Sequence, residues 1–222
     1  KKNTNIFYER ARLEMIDVYD NVLEEHNAIL VEEEMKQLSW KYDYHSDPNK
    51  PNKHWHVFCG HNKEECDVAE FGWAHQIFNI ALKKYKFDEK YNVEEIVRIY
   101  CNAHTYGIEP QIHTDDGDFT MIYYPRLDWK PEWGGGTKIY HDDIGDSNSP
   151  NYKVDKDVSY KGNRLIVFDA YLPHCAQPVT KDCYDLRSCV VFKCNIVGGN
   201  HEKLDFYKDN LSSGNFKVKI ID

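Results

Sequence analysis

Long apolar runs are missing from this chain. None of its 222 residues form a stretch approaching the roughly 18 that a membrane span needs, and the opening Lys1-Lys2-Asn3-Thr4 has no apolar signal core. A cytoplasmic location with no membrane partner is therefore expected. An excess of positive charge is missing too: 28 Lys and Arg stand against 37 Asp and Glu, a formal net charge of −9. That argues against a nucleic-acid partner but leaves room for a cationic peptide. Cys-x-x-Cys does not occur, and the seven cysteines are odd in number with several in strand-like runs, so free thiols in a reducing compartment are expected. Gly134-Gly135-Gly136 lacks the spacing and the following helix of a dinucleotide fingerprint. The acidic loop at 142–151 lacks the Gly and Glu positions of an EF-hand. No internal repeat or low-complexity segment is visible.

What is present is an ordinary globular balance of 41% hydrophobic and 29% charged residues with 16 Tyr and 10 Phe, a composition that suits strands. The length accommodates one domain across 1–222, with 1–90 as a helical support region and 93–197 as the core. Apolar spacing predicts a helix over Phe7 to Leu38 and a second over Cys66 to Tyr85. Short strands are expected at Trp40 to His45, His54 to Phe58, Asn92 to Cys101, Phe119 to Tyr124, Lys138 to Tyr140, Tyr152 to Tyr160, Leu165 to Asp169 and Arg187 to Phe192. A polar tail follows Gly198. Helices followed by many short strands predict helices packed on a β-sandwich or barrel.

The informative stretch is His113-Thr-Asp115, which runs directly into Phe119-Thr-Met-Ile-Tyr-Tyr124. Chance supplies about one or two His-x-acid matches in such a composition, and the chain has three: His45-Ser-Asp47, His113-Thr-Asp115 and His141-Asp-Asp143. The first enters a Pro-rich turn and the third an acidic loop. Only the second opens a β-branched, aromatic strand. On an extended chain residues i and i+2 share a face, so His113 and Asp115 can reach one ion. They form two-thirds of a 2-His-1-carboxylate triad, the usual holder of non-heme Fe(II). His174 is the best candidate for the third ligand. His54 and His56 also share a face, but a polar sheet face explains them more simply. His75 reads as a packed or exposed helix residue.

Such a triad leaves coordination positions for a chelating 2-oxoacid and for O2. A 2-oxoacid dicarboxylate needs a cation at its far end, and Arg187, heading an apolar strand, can supply a bidentate fork. A phenol could add a hydrogen bond, and Tyr124 is placed for it.

In this order, His113-x-Asp115, the Ile122-Tyr123-Tyr124 strand, Trp129, Gly134-Gly135-Gly136-Thr137, Gly162-Asn-Arg-Leu-Ile-Val-Phe, His174 and Arg187-Ser188 make the stretch Val93 to Val197 resemble the Fe(II)/2-oxoglutarate dioxygenases of the prolyl 4-hydroxylase-like branch. The resemblance implies a mainly β fold with packed helices, its core a double-stranded β-helix (a cupin-like jelly roll). It implies Fe(II) on His113, Asp115 and His174, and 2-oxoglutarate contacted by Arg187, Tyr124, Tyr100 and Ser188. O2 would be the oxidant and ascorbate a possible support. The implied reaction hydroxylates an aliphatic C–H, foremost in a prolyl residue of a peptide or protein, releasing succinate and CO2. A groove lined by Trp129, Trp133 and Tyr171 would accept such a peptide, whereas core packing accounts for the same aromatics equally well. The competing expectations are a hydroxylase of a free amino acid or other small molecule, a non-catalytic binding module, and a cupin-like Zn or Mn enzyme. Departures from the family include Arg187 where collagen-modifying members use Lys, and a longer loop between Tyr100 and His113.

Overall fold

The computed structural model describes residues 15–46, 50–143 and 151–197. Ten strands and four helices follow in the order β1 (Ile16–Asp20), α1 (Glu25–Gln37), β2 (Lys41–Tyr44), β3 (His54–Gly60), α2 (Lys63–Val68), α3 (Gly72–Tyr85), α4 (Phe87–Tyr91), β4 (Val93–His104), β5 (Phe119–Tyr124), β6 (Thr137–Asp143), β7 (Asn151–Val158), β8 (Arg164–Asp169), β9 (His174–Ala176) and β10 (Arg187–Ile196) among the described residues. A seven-stranded antiparallel sheet in the order β1-β8-β5-β10-β4-β3-β2 faces a three-stranded sheet, β7-β6-β9.

Period-two alternation divides the central strands between two cores. Ile99, Cys101, Phe119, Met121, Tyr123, Val190 and Phe192 point toward the helices and pack with Ala74, Ile77, Phe78 and Ala81 of α3. Their neighbours Tyr100, Ile122, Tyr124, Ile166, Phe168, Cys189 and Val191 point the other way, toward Ile139 and Val158 of the small sheet. This explains why every residue of β5 is buried: both faces of the sheet are covered. At roughly 1.5–3 kcal/mol for each large apolar side chain buried, these two layers dominate the stability of the fold. The jelly-roll expectation agrees with this mainly β, two-sheet architecture.

The N-terminal third departs from its expected helical character. Ile16–Asp20 is a strand that pairs with β8, Ile16 opposite Phe168 and Asp20 opposite Arg164. Its apolar positions fit a helical spacing as well as a strand, and only a partner far along the chain decides between them. The expected second helix is two helices, α2 and α3, separated where Glu70 takes a positive φ of 63°. Residues before 90 thus supply β1, β2 and β3 of the large sheet as well as helices. The start of the first expected helix, Asp47, most of the 142–151 loop and the tail after Gly198 lie outside the described residues. No described helix is long and apolar enough to cross a membrane. All seven cysteines are free and buried.

Candidate active site

Between the two sheets, a cavity is lined by Tyr100, Asn102, His104, His113, Asp115, Ile122, Thr137, His174, Arg187, Cys189 and Lys193, among others. Backbone pairing delivers the two histidines to it. His113 and His174 form an isolated antiparallel bridge, with His113 N–H donating to the His174 carbonyl at 3.0 Å and His174 N–H donating back at 2.9 Å. The imidazoles therefore stand side by side, ring centroids 4.5 Å apart. Asp115 is fixed two residues on by its N–H on the Ala170 carbonyl (2.8 Å). The following Asp116 is clamped by both terminal nitrogens of Arg98, each at 2.5 Å, which anchors the loop between the triad and β5.

The ring nitrogens are sorted by their partners. His113 Nδ1 lies 2.8 Å from the Gln111 carbonyl and His174 Nδ1 lies 2.9 Å from the Leu172 carbonyl. A carbonyl only accepts, so each Nδ1 carries the proton and each Nε2 presents a lone pair. Burial holds His113 well below the ordinary imidazole pKa, aided by His174, and lowers His174 to about 4. Both rings are thus neutral near pH 7. His113 Nε2 is 3.6 Å from Asp115 Oδ1, and His174 Nε2 is 3.2 Å from Oδ2. Two lone pairs and a carboxylate face one another with no proton of their own to share, a donor set that fits a divalent cation. Their ligand atoms all lie within 4.8 Å of one another, and this is the one such His/Cys/Asp/Glu group among the described residues.

Arg187 is 2% exposed. Its Nε donates to the Gly135 carbonyl at 2.7 Å and Nη1 to Cys189 Sγ at 3.2 Å, and Nη2 reaches the Gly136 carbonyl at only 3.5 Å. Its guanidinium lies over the rings of Tyr124 (5.4 Å) and Tyr160 (5.7 Å). Among the described residues no carboxylate pairs with it, so a buried cation faces the cavity without an anion, an expensive arrangement unless a ligand supplies one.

Gly135 makes this possible. It has φ of 76°, and a Cβ there would sit 2.8 Å from Arg187 Cγ. Gly135→Ala is expected to push the guanidinium off its carbonyl seat. The concentration of 2-oxoglutarate needed for half-saturation should then rise by about tenfold or more, the equivalent of about 1.4 kcal/mol. Unchanged 2-oxoglutarate affinity in a folded variant would show that this seat does not matter.

The remaining expected residues fall out unequally. Tyr100 lines the cavity. Tyr124 is fully buried, and its hydroxyl is spent on Thr137 Oγ1 at 2.6 Å; burial pushes its pKa up to about 12. Thr137, which sequence reasoning passed over, does line the cavity. Ser188 is buried on β10. It follows Arg187 on a strand and so points to the opposite face, and it is not among the lining residues. Trp129 donates from Nε1 to the Gly134 carbonyl, packs edge-on against Trp133 and lies tilted against Tyr160. Neither tryptophan nor Tyr171 is among the cavity-lining residues; Trp129 is buried in the core between the sheets, and Trp133 packs half-buried against it. Lys193 was also missed. It is 1% exposed, and its Nζ contacts Asp115 Oδ2 and donates to Thr120 Oγ1 at 3.3 Å. Burial drives its pKa down, and the touching carboxylate opposes that. Its signal was the alternation Arg187, Cys189, Val191, Lys193, which puts a charge on the cavity face of an otherwise apolar strand.

Residues 99–194 match the model of the 2OG-Fe(II) oxygenase superfamily. Sequence search finds no match among curated proteins. Solved structures share the fold at low identity. A prolyl hydroxylase from Trichoplax adhaerens, in complex with a hypoxia inducible factor oxygen degradation domain peptide fragment, superposes with a TM-score of 0.60 at 12% identity, covering 84% of this chain and 86% of that one. A Pseudomonas putida prolyl-4-hydroxylase gives 0.54 at 12%, covering 82% and 94%. HygX from Streptomyces hygroscopicus, with nickel and 2-oxoglutarate bound, gives 0.54 at 11%, covering 82% of each. The family implies Fe(II), 2-oxoglutarate and O2, and the His-Asp-His group stands inside the matched segment. The segment from residue 99 to residue 194 is thus similar to the 2OG-Fe(II) oxygenases, and it carries the whole His-Asp-His group.

Proposed function

We propose that the chain hydroxylates a prolyl residue of a peptide or protein, with His113, Asp115 and His174 holding Fe(II) and Arg187 receiving the far carboxylate of 2-oxoglutarate. The observation that carries the site assignment is the pair of outward Nε2 lone pairs facing Asp115, in the same cavity as a buried guanidinium that lacks an anion. The metal, when bound, supplies oxygen activation coupled to decarboxylation of the co-substrate. The protein's own groups do the rest. The Nδ1 protons on the Gln111 and Leu172 carbonyls fix both rings in the ligating tautomer. Arg187 orients the co-substrate by a two-pronged contact that a Lys could not make. Thr137, tied to Tyr124, offers a hydroxyl at the same wall, with Tyr100 as a further contact. The apolar layer between the two sheets excludes water around them. We take residues 93–197 as the catalytic core, supported by the elements before it within a single domain spanning 1–222.

The prolyl assignment draws support from the likeness in fold to prolyl hydroxylases, one of them holding a peptide. A small-molecule substrate is the second reading, favoured by the comparable likeness to HygX, also solved with hygromycin B, and by Trp129 and Trp133 being packed away from the cavity. Succinate release from 2-oxoglutarate decides between them. Proline-containing peptides are expected to raise it above the uncoupled rate and to gain one oxygen atom by mass. Stimulation by free amino acids alone would favour the small-molecule reading and contradict the prolyl one.

A further inference from the structure

Lys193 is the unexpected charge of this site. Cross-strand register sets it opposite Thr120 of β5 and Arg98 of β4, and Arg98 is already committed to Asp116. The Lys193 ammonium is left with Asp115 Oδ2, the Thr120 hydroxyl and the face of Tyr100, 5.7 Å away. Thr120 in turn donates to the same Oδ2 at 2.7 Å. Both carboxylate oxygens look toward an imidazole, but they are not equivalent. Oδ2 carries a hydroxyl and an ammonium, whereas Oδ1 faces only His113 Nε2 at 3.6 Å. Among the described residues Lys193 is the one Lys or Arg in contact with Asp115.

We propose that Lys193 is a positioning residue for the triad: together with Thr120 it ties down Oδ2, so that Asp115 offers a metal the single oxygen Oδ1. Two consequences follow from electrostatics. A cation this close repels a metal ion and weakens the carboxylate as a donor, so metal affinity is reduced. A one-toothed carboxylate leaves one more coordination position open, and the metal keeps more of its positive charge for an anionic chelator. Lys193 therefore exchanges metal affinity for co-substrate affinity. A side chain with a purely structural role would raise or lower both together.

The inference rests on the reading that His113, Asp115 and His174 hold Fe(II) beside 2-oxoglutarate. Anaerobic titrations of the full chain test it, with Fe(II) alone and then 2-oxoglutarate added to the Fe(II)-loaded protein, in wild type, Lys193→Met, Lys193→Arg and Thr120→Val. Met keeps the volume and removes the charge. Lys193→Met is expected to bind Fe(II) about tenfold more tightly and 2-oxoglutarate about tenfold more weakly. Lys193→Arg should return both toward wild type, and Thr120→Val should move both in the same opposed directions by less. Equal affinities in Lys193→Met and wild type, or shifts of one sign in both, would overturn the proposal. Should Lys193→Met fail to fold, the opposed shifts in Thr120→Val decide. No charge-transfer band in iron-loaded wild type would instead overturn the reading of the site itself, and the inference with it.

Discussion

His174→Ala is expected to lower Fe(II) affinity by more than about a hundredfold, exceeding the roughly ten- to hundredfold that loss of an outer-shell partner costs, and to abolish succinate formation. The reason is geometric. His174 joins the site through its backbone bridge to His113, which persists in the variant, and only the imidazole is lost. His174 Nδ1 is occupied by the Leu172 carbonyl, so the ring has one free nitrogen, and that nitrogen is 3.2 Å from the Asp115 carboxylate. The alternative is that His174 is a satisfied core residue packed edge-on against Phe168 at 4.7 Å. In that case the variant would melt at a lower temperature and bind iron as wild type does. Isothermal titration under anaerobic conditions, paired with a melting curve, separates the two.

Arg187→Met is expected to leave Fe(II) binding intact and to raise the 2-oxoglutarate requirement steeply. Truncating one member of a buried, hydrogen-bonded charge pair costs about 2–5 kcal/mol, or roughly thirtyfold to several thousandfold in affinity. Arg187→Lys should fall between, because it keeps the charge but not the fork that spans Gly135 and Cys189. The contrast with His174→Ala is the useful part: one variant loses the metal, the other loses the co-substrate while keeping the metal. Equal 2-oxoglutarate affinity in Arg187→Met would mean that the buried guanidinium serves only to join the Gly135 carbonyl to the aromatic rings of Tyr124 and Tyr160.

The parts of the site that are local in sequence could be read from it. His113 and Asp115 are two residues apart and lead into a strand whose β-branched and aromatic content announces it, and β5 forms at Phe119–Tyr124 as expected. His174 and Arg187 were reachable because the elements recur in a known order. Their geometry was not reachable, since the bridge to His113 and the seat at Gly135 are made by residues about 50 to 60 positions away. Simple alternation along β10 sets Ser188 on the face opposite Arg187 and Lys193 on the same face as Arg187. The strand at Ile16–Asp20 illustrates the opposite limit: its spacing satisfies a helix, and the pairing that makes it a strand lies with β8, far along the chain. Tyr124 was placed on the correct strand, but its hydroxyl is taken by Thr137, a partner no spacing rule would name.

The proposed function places a metal triad and a carboxylate-reading arginine in one cavity. It is tested most directly by adding 2-oxoglutarate to the anaerobic, Fe(II)-loaded wild-type chain and recording its visible spectrum. A chelated 2-oxoacid on an open triad should give a metal-to-ligand charge-transfer band that saturates at one equivalent of iron and is absent in His174→Ala. Iron bound stoichiometrically with no band at any 2-oxoglutarate concentration would contradict the account.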